Sequence, residues 1–188
     1  MPTPHHPPTR VQWWPHRPPT MPTNRWCIAH VKPRQDKKFG QTIGEAGGLG
    51  CSVLSASVRH YPGKGTQTSW RPLLPGYVFV NLMTDTLIDA TLYATGRCVR
   101  ILRVSQQDQF VTELSNLLTL AEQAPTPLIV QPHLVPGIAI IIRQGTFAGC
   151  QGLVQRRQGI TELVVNLQVL GCSVATTLPA EWADQMDP

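Results

Sequence analysis

A proline-glycine turn followed by two aromatic residues is the feature of this sequence best suited to molecular recognition. Pro75 fixes one backbone angle and Gly76 permits a positive φ, so the pair favours a tight turn. Tyr77 and Phe79 then share one face of the strand that follows. A tyrosine held at a sheet edge presents an apolar ring with a polar tip, which suits a protein contact. An ordinary core strand after a turn has the same pattern.

Residues that could perform covalent or metal chemistry are scattered along the chain. The five cysteines are widely spaced, and none forms a Cys-x-x-Cys pair. Cys27 and His30 are two potential ligands, which is too few for a metal site. The sequence has no glycine-rich phosphate loop, and its carboxylates are not paired at a useful spacing. It therefore predicts no metal, no cofactor and no enzymatic activity.

Positive charge is concentrated in one part of the chain. Residues 25–71 contain eight Lys and Arg side chains against two Asp and Glu, whereas residues 133–188 contain three against four. The first stretch could contact phosphate groups, and the second shows no such bias. This asymmetry predicts two modules with different partners.

Length and composition limit the class of protein further. The 188 residues are 41% hydrophobic, which is ordinary for a globular chain with one large or two small domains. No apolar run approaches the roughly 18 residues of a membrane span. The N-terminus lacks the apolar core of a secretory signal, so we expect a cytoplasmic protein.

The first 24 residues are rich in proline and poor in aliphatic side chains. This composition predicts an extended, disordered tail over residues 1–24. Trp13 and Trp14 could form a short recognition element within that tail. Met21 precedes the first predicted strand, which suggests the hypothesis that the natural product starts there.

Residues 25–123 alternate between strand and helix patterns. The helix over 34–46 has an apolar stripe of Phe39, Ile43 and Ala46, and Gln106–Gln123 is the clearest helix of the chain. The polar stretch 61–71 is predicted as a loop or hairpin tip, and 86–95 as a short helix. The remaining segments are predicted strands: 25–31, 51–59, 73–82 and 99–104.

The pattern changes after residue 123. Residues 124–136 contain four prolines and are predicted as a linker. Residues 137–183 then show short strands with glycines at the corners, which suits a small five-stranded, SH3-like β-barrel. Together with the first module, this predicts an α+β protein of two domains.

The chain resembles the NusG family of transcription elongation factors. The resemblance lies in Trp26, in the segment 31–35, in the segment 74–80, and in the glycine-bearing run 142–154. It implies an NGN domain, an α/β sandwich, at 25–123 and a KOW domain, the small barrel, at 137–183. Many β-branched residues in the predicted strands favour a KOW domain that stays a barrel.

The resemblance implies that the NGN domain binds RNA polymerase. In the family, an apolar patch contacts the clamp helices of the largest subunit, and the result is processive elongation or antitermination. Tyr77 is the best single candidate for this contact. The residues that match the segment forming or supporting the patch are Trp26, Leu74, Pro75, Tyr77 and Phe79.

Two further partners follow from the same resemblance. Family members touch the non-template DNA strand of the transcription bubble, and basic side chains would supply that attraction. The candidates are Lys32, Arg34, Lys37, Lys38, His60 and Arg71. The KOW domain of the family recruits Rho or the ribosomal protein NusE, for which Phe147 and Leu170 are the candidates. We expect a monomer.

The short linker, the compact stretch 61–71 and the form of the first helix resemble the specialised paralogues RfaH, UpxY and LoaP. The competing interpretation is a KOW-containing ribosomal or RNA-binding protein. Charged residues make up only 14% of the chain, which disfavours a scaffold for ribosomal RNA.

Overall fold

The structure is a computed structural model that describes residues 9–63, 65–82, 88–143, 145–157, 159–178 and 186–187. It is an α+β fold, as the sequence predicts. The helices are α1 (Asp36–Glu45), α2 (Ile88–Ala94) and α3 (Gln107–Gln123). The strands of the first sheet are β1 (Thr9–Trp14), β2 (Trp26–Val31), β3 (Leu49–Tyr61), β4 (Gly65–Pro72), β5 (Tyr77–Asn81) and β6 (Cys98–Arg103). Those of the second are β7 (Ile129–Gln131), β8 (Ile138–Ile142), β9 (Gln151–Arg157), β10 (Ile160–Leu167), β11 (Cys172–Thr177) and β12 (Met186–Asp187).

The contacts divide the chain into two compact units. One consists of Val11–Val53 and Pro72–Val111. The described residues of the other lie within Met1–Arg10, Leu54–Arg71 and Thr112–Pro188. Two of the boundaries between these units fall inside β3 and α3. The units therefore differ from the domain bounds 25–123 and 137–183, which stay a prediction.

The first sheet has the strand order β1-β3-β5-β2-β6, with β4 also paired to β3. Alternation along β2 and β5 gives the sheet two apolar faces. On one face, the α1 side chains Phe39 and Ile43 are fully buried with Val78 and Val80. The predicted apolar stripe of α1 is confirmed for these two residues, whereas Ala46 lies beyond the helix and is exposed.

The N-terminal segment corrects the predicted tail. Residues 9–14 form strand β1, and Trp14 belongs to the buried core of its unit. Two glycines of α1 make room for it, because a Cβ at Gly40 would overlap the Trp14 ring and one at Gly44 would press on Pro15. The prediction of disorder is wrong for these residues, and 1–8 lie outside the described residues. A product that started at Met21 would lack β1.

Strands β3 and β4 decide between the two alternatives predicted for 61–71, a loop or a hairpin tip, in favour of a hairpin. They form a long hairpin in which β4 begins at Gly65, so most of the stretch is strand. Ser69 Oγ donates to the Ser57 carbonyl across this hairpin at 3.3 Å. Residues 83–87 lie outside the described part of the chain. They include 86 and 87, the first two residues of the helix predicted over 86–95.

The second sheet is antiparallel with the order β12-β8-β9-β10-β11-β7. It has six strands where the sequence predicts five. β7 lies inside the predicted linker and pairs with β11, because Leu128 and Val135 on either side of it are buried. The linker prediction is therefore wrong for 129–131. β12 lies beyond the predicted end of the domain at 183.

Candidate functional site

The turn before β5 is held by hydrogen bonds on both sides. The Tyr77 N–H donates to the Leu74 carbonyl at 3.2 Å, and Gly76 has φ +82°. This is a type II turn, which requires a residue that tolerates positive φ at its third position. The Gly76 carbonyl accepts from the Val31 N–H at 2.8 Å, and its N–H donates to Asp36 Oδ1 at 2.9 Å. The backbone of the turn is therefore fixed.

Tyr77 is stacked on a histidine of the neighbouring strand. His30 of β2 pairs with Tyr77 of β5, and the two rings lie 5.0 Å apart between centroids with an interplanar angle of 24°. Both side chains are half-buried. On the other side of β2, Arg100 of β6 pairs with His30 and is exposed. A tyrosine, a histidine and an arginine thus form a row across three strands.

Pro75 and Leu74 complete the surface around the turn. Pro75 is exposed, whereas Leu74 is buried beneath the turn. We name Pro75, Tyr77, His30 and Arg100 the turn surface. It combines apolar rings with one fixed positive charge at its edge, and its backbone cannot easily rearrange. Such a preorganised surface loses little conformational entropy when it binds a partner.

Trp26 and Phe79 lie in the interior and not on the surface. Their exposed fractions are 2% and 1%. Both rings pack against Phe110, at centroid distances of 6.4 Å and 6.1 Å. Gln107 of α3 brackets the Trp26 backbone, since it accepts from its N–H at 2.8 Å and donates to its carbonyl at 2.9 Å. These two residues therefore lie beneath the turn surface and support the strands that carry it.

A family model described as "NusG: Transcription termination factor nusG" matches residues 24–121. The match covers more than half of the 188 residues. The chain belongs to the NusG family. Its matched residues form a domain of a family of transcription factors, not enzymes.

One solved structure that is similar to the chain is described as "Domain interaction in Thermotoga maritima NusG". The two sequences are 18% identical, the match covers 84% of this chain and 94% of that chain, and the TM-score is 0.41. A search of curated proteins finds no match.

The basic residues predicted to contact DNA are all exposed, and they fall on two sets of elements. Lys32 and Arg34 precede α1, and Lys37 and Lys38 lie in its first turn. Lys32 Nζ donates to the Gly96 carbonyl at 2.7 Å, and Arg34 has φ +63°. The other two belong to the hairpin: His60 is the last residue but one of β3, and Arg71 lies in β4. The two sets thus lie on different elements, and these elements belong to different compact units.

The two residues predicted to bind a partner of the C-terminal module differ in accessibility. Phe147 is fully buried, with an exposed fraction of 0%. Leu170 is half-buried in the short 3-10 helix Gln168–Leu170, just before Gly171 at φ +65°. Within the same unit, the Gln168 N–H donates to Glu113 Oε2 at 3.0 Å.

The five cysteines are free thiols, of which four are buried and Cys172 is half-buried. Burial, together with nearby Cys98 and Asp89, raises the pKa of Cys27 to about 12, and burial raises the pKa of Cys150 to about 12. These thiols therefore stay protonated and weakly reactive at neutral pH.

Among the described residues, no group of three or more His, Cys, Asp or Glu side chains could hold a metal ion. No helix in the described part of the chain is long and apolar enough to cross a membrane.

Sequence reasoning did not assign His30, Asp36 or Arg100 to the turn surface, and it considered His30 only as a potential metal ligand. His30 and Arg100 become neighbours of Tyr77 only through the strand register, which no local pattern reveals. Asp36 reaches the Gly76 N–H across forty residues of chain. A partial signal for Asp36 is its place in the first turn of a helix, where a carboxylate is favourable.

Proposed function

We propose that this protein is a transcription elongation factor that binds RNA polymerase through the turn surface and promotes processive elongation or antitermination. The partner segment would be the clamp helices of the largest polymerase subunit. Membership of the NusG family supports the general role. The single observation that carries the finer proposal is the Tyr77 ring, fixed by the turn and by its stack on His30 at an accessible sheet end.

The chemistry of the turn surface fits a helical partner. A helix that packs on a sheet end presents a row of apolar side chains, for which Pro75 and the Tyr77 ring supply the apolar area. Tyrosines in such positions often dominate binding energy, because they combine a large apolar area with a hydroxyl. Buried Leu74, Trp26 and Phe79 act from below by fixing the positions of the strands.

Contact with the non-template DNA strand is the second part of the proposal. Lys32, Arg34, Lys37 and Lys38 would attract the phosphates from the start of α1, and His60 and Arg71 from the hairpin. Their common exposure supports this role. The attraction would be independent of base sequence and would weaken with added salt.

A second protein partner would bind the C-terminal sheet. Leu170 remains the candidate contact for Rho or the ribosomal protein NusE, since it is partly accessible beside an αL glycine. We further propose that the protein is a specialised paralogue of the RfaH, UpxY or LoaP type, acting as a monomer in the cytoplasm on a few long operons. Sequencing of nascent transcripts with and without the protein tests this point, because a genome-wide effect would instead indicate a housekeeping factor.

The direct test of the proposal is the affinity of the purified chain for core RNA polymerase. Tyr77→Ala should weaken binding by about thirtyfold, the effect of losing a side chain that dominates an interface. Tyr93→Ala is the matched control, because Tyr93 is a 47% exposed tyrosine of the same unit on α2. Equal affinity of both variants, or sedimentation with ribosomes in the absence of polymerase, would overturn the proposal.

A further inference from the structure

The row of Tyr77, His30 and Arg100 lies on one face of three neighbouring strands. His30 of β2 stands opposite Tyr77 of β5 and opposite Arg100 of β6, and directly opposed residues point to the same face of a sheet. Tyr77 and His30 are half-buried, and Arg100 is exposed. Phe79 and Ile28, which form the next row on this face, are buried. The first row is therefore accessible where the adjoining row is not.

A β-bulge in β6 places Arg100 on this face. The pairing of β2 with β6 shifts by one residue between His30 and Val31, so Val99 has no residue opposite it. If the register at Val31 continued without the shift, Val99 would stand opposite His30, and the Arg100 side chain would point to the other face. The bulge thus brings a charged side chain, and not an aliphatic one, beside the stacked rings.

Arg100 carries a charge that no carboxylate among the described residues neutralises. Two carboxylates on neighbouring elements have other partners: Asp36 accepts from the Gly76 N–H at 2.9 Å, and Asp89 pairs with Arg103 at 2.5 Å. Residues 90–107 contain three arginines and no Asp or Glu. A partner that covered Arg100 without offering a carboxylate would leave this charge unpaired in a contact of low polarity, which is costly.

The spacing along the row fits an α-helix that lies across the strands. Neighbouring strands are about 4.8 Å apart, so Tyr77 and Arg100 are separated by about 9.6 Å along the row. An α-helix advances about 10.5 Å over seven residues, and residues i and i+7 lie on the same face of the helix. One helix can therefore place two side chains, seven positions apart, on Tyr77 and on Arg100.

We propose that Arg100 selects the helix that the turn surface binds, by requiring an Asp or Glu seven positions from the apolar side chain that contacts Tyr77. This inference rests on the proposed function and deepens it, because it names a charge and its spacing on the partner helix. The planar guanidinium can donate two parallel hydrogen bonds to a carboxylate, which would fix the position of the helix along the row. A Lys or Arg at the same position of a helix would be repelled, so the charge also excludes wrong partners.

The first test is the affinity of the full chain for core RNA polymerase without nucleic acid, at salt concentrations of about 0.01 and 0.15 M. Arg100→Gln removes the charge and should weaken binding about tenfold at the lower salt concentration and less at the higher one. Arg100→Glu should weaken it further, because two carboxylates would then face each other. Arg103→Gln is the matched control and should bind like the wild type, since Arg103 lies on the same strand opposite Cys27, on the other face of the sheet.

Two synthetic helical peptides of equal composition and length test the spacing. Each has one central leucine, with glutamates seven positions away on both sides in one peptide and five positions away in the other. Five positions turn the glutamates about 140° around the helix from the leucine, so they cannot reach Arg100 when the leucine contacts Tyr77. In NMR titrations of the full chain, the first peptide should bind about fivefold more tightly or better, and Arg100→Glu should remove this preference.

Tighter binding of the first peptide, together with weaker polymerase binding by Arg100→Gln, supports the proposal. Wild-type polymerase affinity of Arg100→Gln and Arg100→Glu, with Tyr77→Ala still weakened, overturns it while the proposed function stands. If the wild-type chain does not bind polymerase, the proposed function fails and the peptides decide. Equal affinity for the two peptides, or no binding of either, overturns the inference in both cases. Circular dichroism verifies folding, and Arg100→Gln decides if Arg100→Glu unfolds.

Discussion

The turn surface and the hairpin of β3 and β4 differ in how they are built. The turn backbone is fixed by hydrogen bonds from Gly76 to Val31 and Asp36, and it rests on buried rings. The hairpin exposes both faces and carries charges without carboxylate partners among the described residues. A fixed apolar surface suits one partner of defined shape, whereas an open basic ribbon suits a flexible polyanion. The proposed function thus assigns shape recognition to the turn surface and electrostatic attraction to the basic residues.

Stability gives the largest expected contrast between the two regions. Phe79→Ala should lower the free energy of unfolding by about 3–5 kcal/mol, because it leaves a cavity beneath the turn surface. Val58→Ala in the hairpin should change it by less than about 0.5 kcal/mol, since Val58 is 47% exposed. Urea unfolding of both variants measures the difference. Similar losses would remove the contrast between a supported turn and an open ribbon.

The carboxylate beneath the turn gives the next largest effect. Asp36→Ala should cost about 1–3 kcal/mol of stability, because it leaves the Gly76 N–H without its acceptor. It should also weaken polymerase binding by loosening the turn. Asp36→Asn keeps an acceptor oxygen and should lose less. Glu45→Ala, at the exposed far end of α1, is the control; if it matched Asp36→Ala, the hydrogen bond would not be the cause.

The His30 ring should contribute to polymerase binding through its stack on Tyr77. His30→Ala should weaken binding of core RNA polymerase about two- to tenfold, because an aromatic stack contributes about 0.5–1.5 kcal/mol beyond its buried area. His30→Phe preserves a ring beneath Tyr77 and should bind like the wild type. Titration of labelled polymerase with each variant distinguishes these outcomes. Equal weakening by both substitutions would mean that the imidazole itself, not the stack, is required.

The smallest expected effect is on the salt dependence of oligothymidine binding. Arg71→Gln in the hairpin should lower the salt slope of oligothymidine binding by about 0.7, the value for one lost phosphate contact. Tyr77→Ala should leave that slope unchanged, because the turn surface carries shape recognition. An anisotropy series over increasing salt measures both. A slope that fell with Tyr77→Ala would show that the two surfaces do not divide the work as proposed.

Much of the fold around the turn could be predicted from local patterns. The turn follows from Pro75-Gly76, and the buried face of α3 follows from the spacing of Phe110, Leu114 and Leu117, which are all buried. Both are short-range signals, in which residue type dictates geometry without knowledge of the rest of the chain.

The features that sequence reasoning missed depend on contacts between distant segments. A proline-rich composition indicates disorder, yet Trp14 is buried because two glycines on α1 leave room for it. β7 forms inside a proline-bearing stretch because its neighbours Leu128 and Val135 are buried. The His30–Tyr77 stack and the Arg10–Trp70 contact likewise depend on strand pairing. Composition and periodicity do not encode such pairings.

Photo-crosslinking from the turn surface tests the central claim most directly. A photoreactive phenylalanine derivative is placed at Pro75 in one sample and at exposed Tyr93 in another, and each is irradiated with core RNA polymerase. The account predicts that position 75 crosslinks to a helical segment of the largest subunit and that position 93 does not. Crosslinks of equal yield from both positions, or none from position 75 while the proteins are bound, would contradict it.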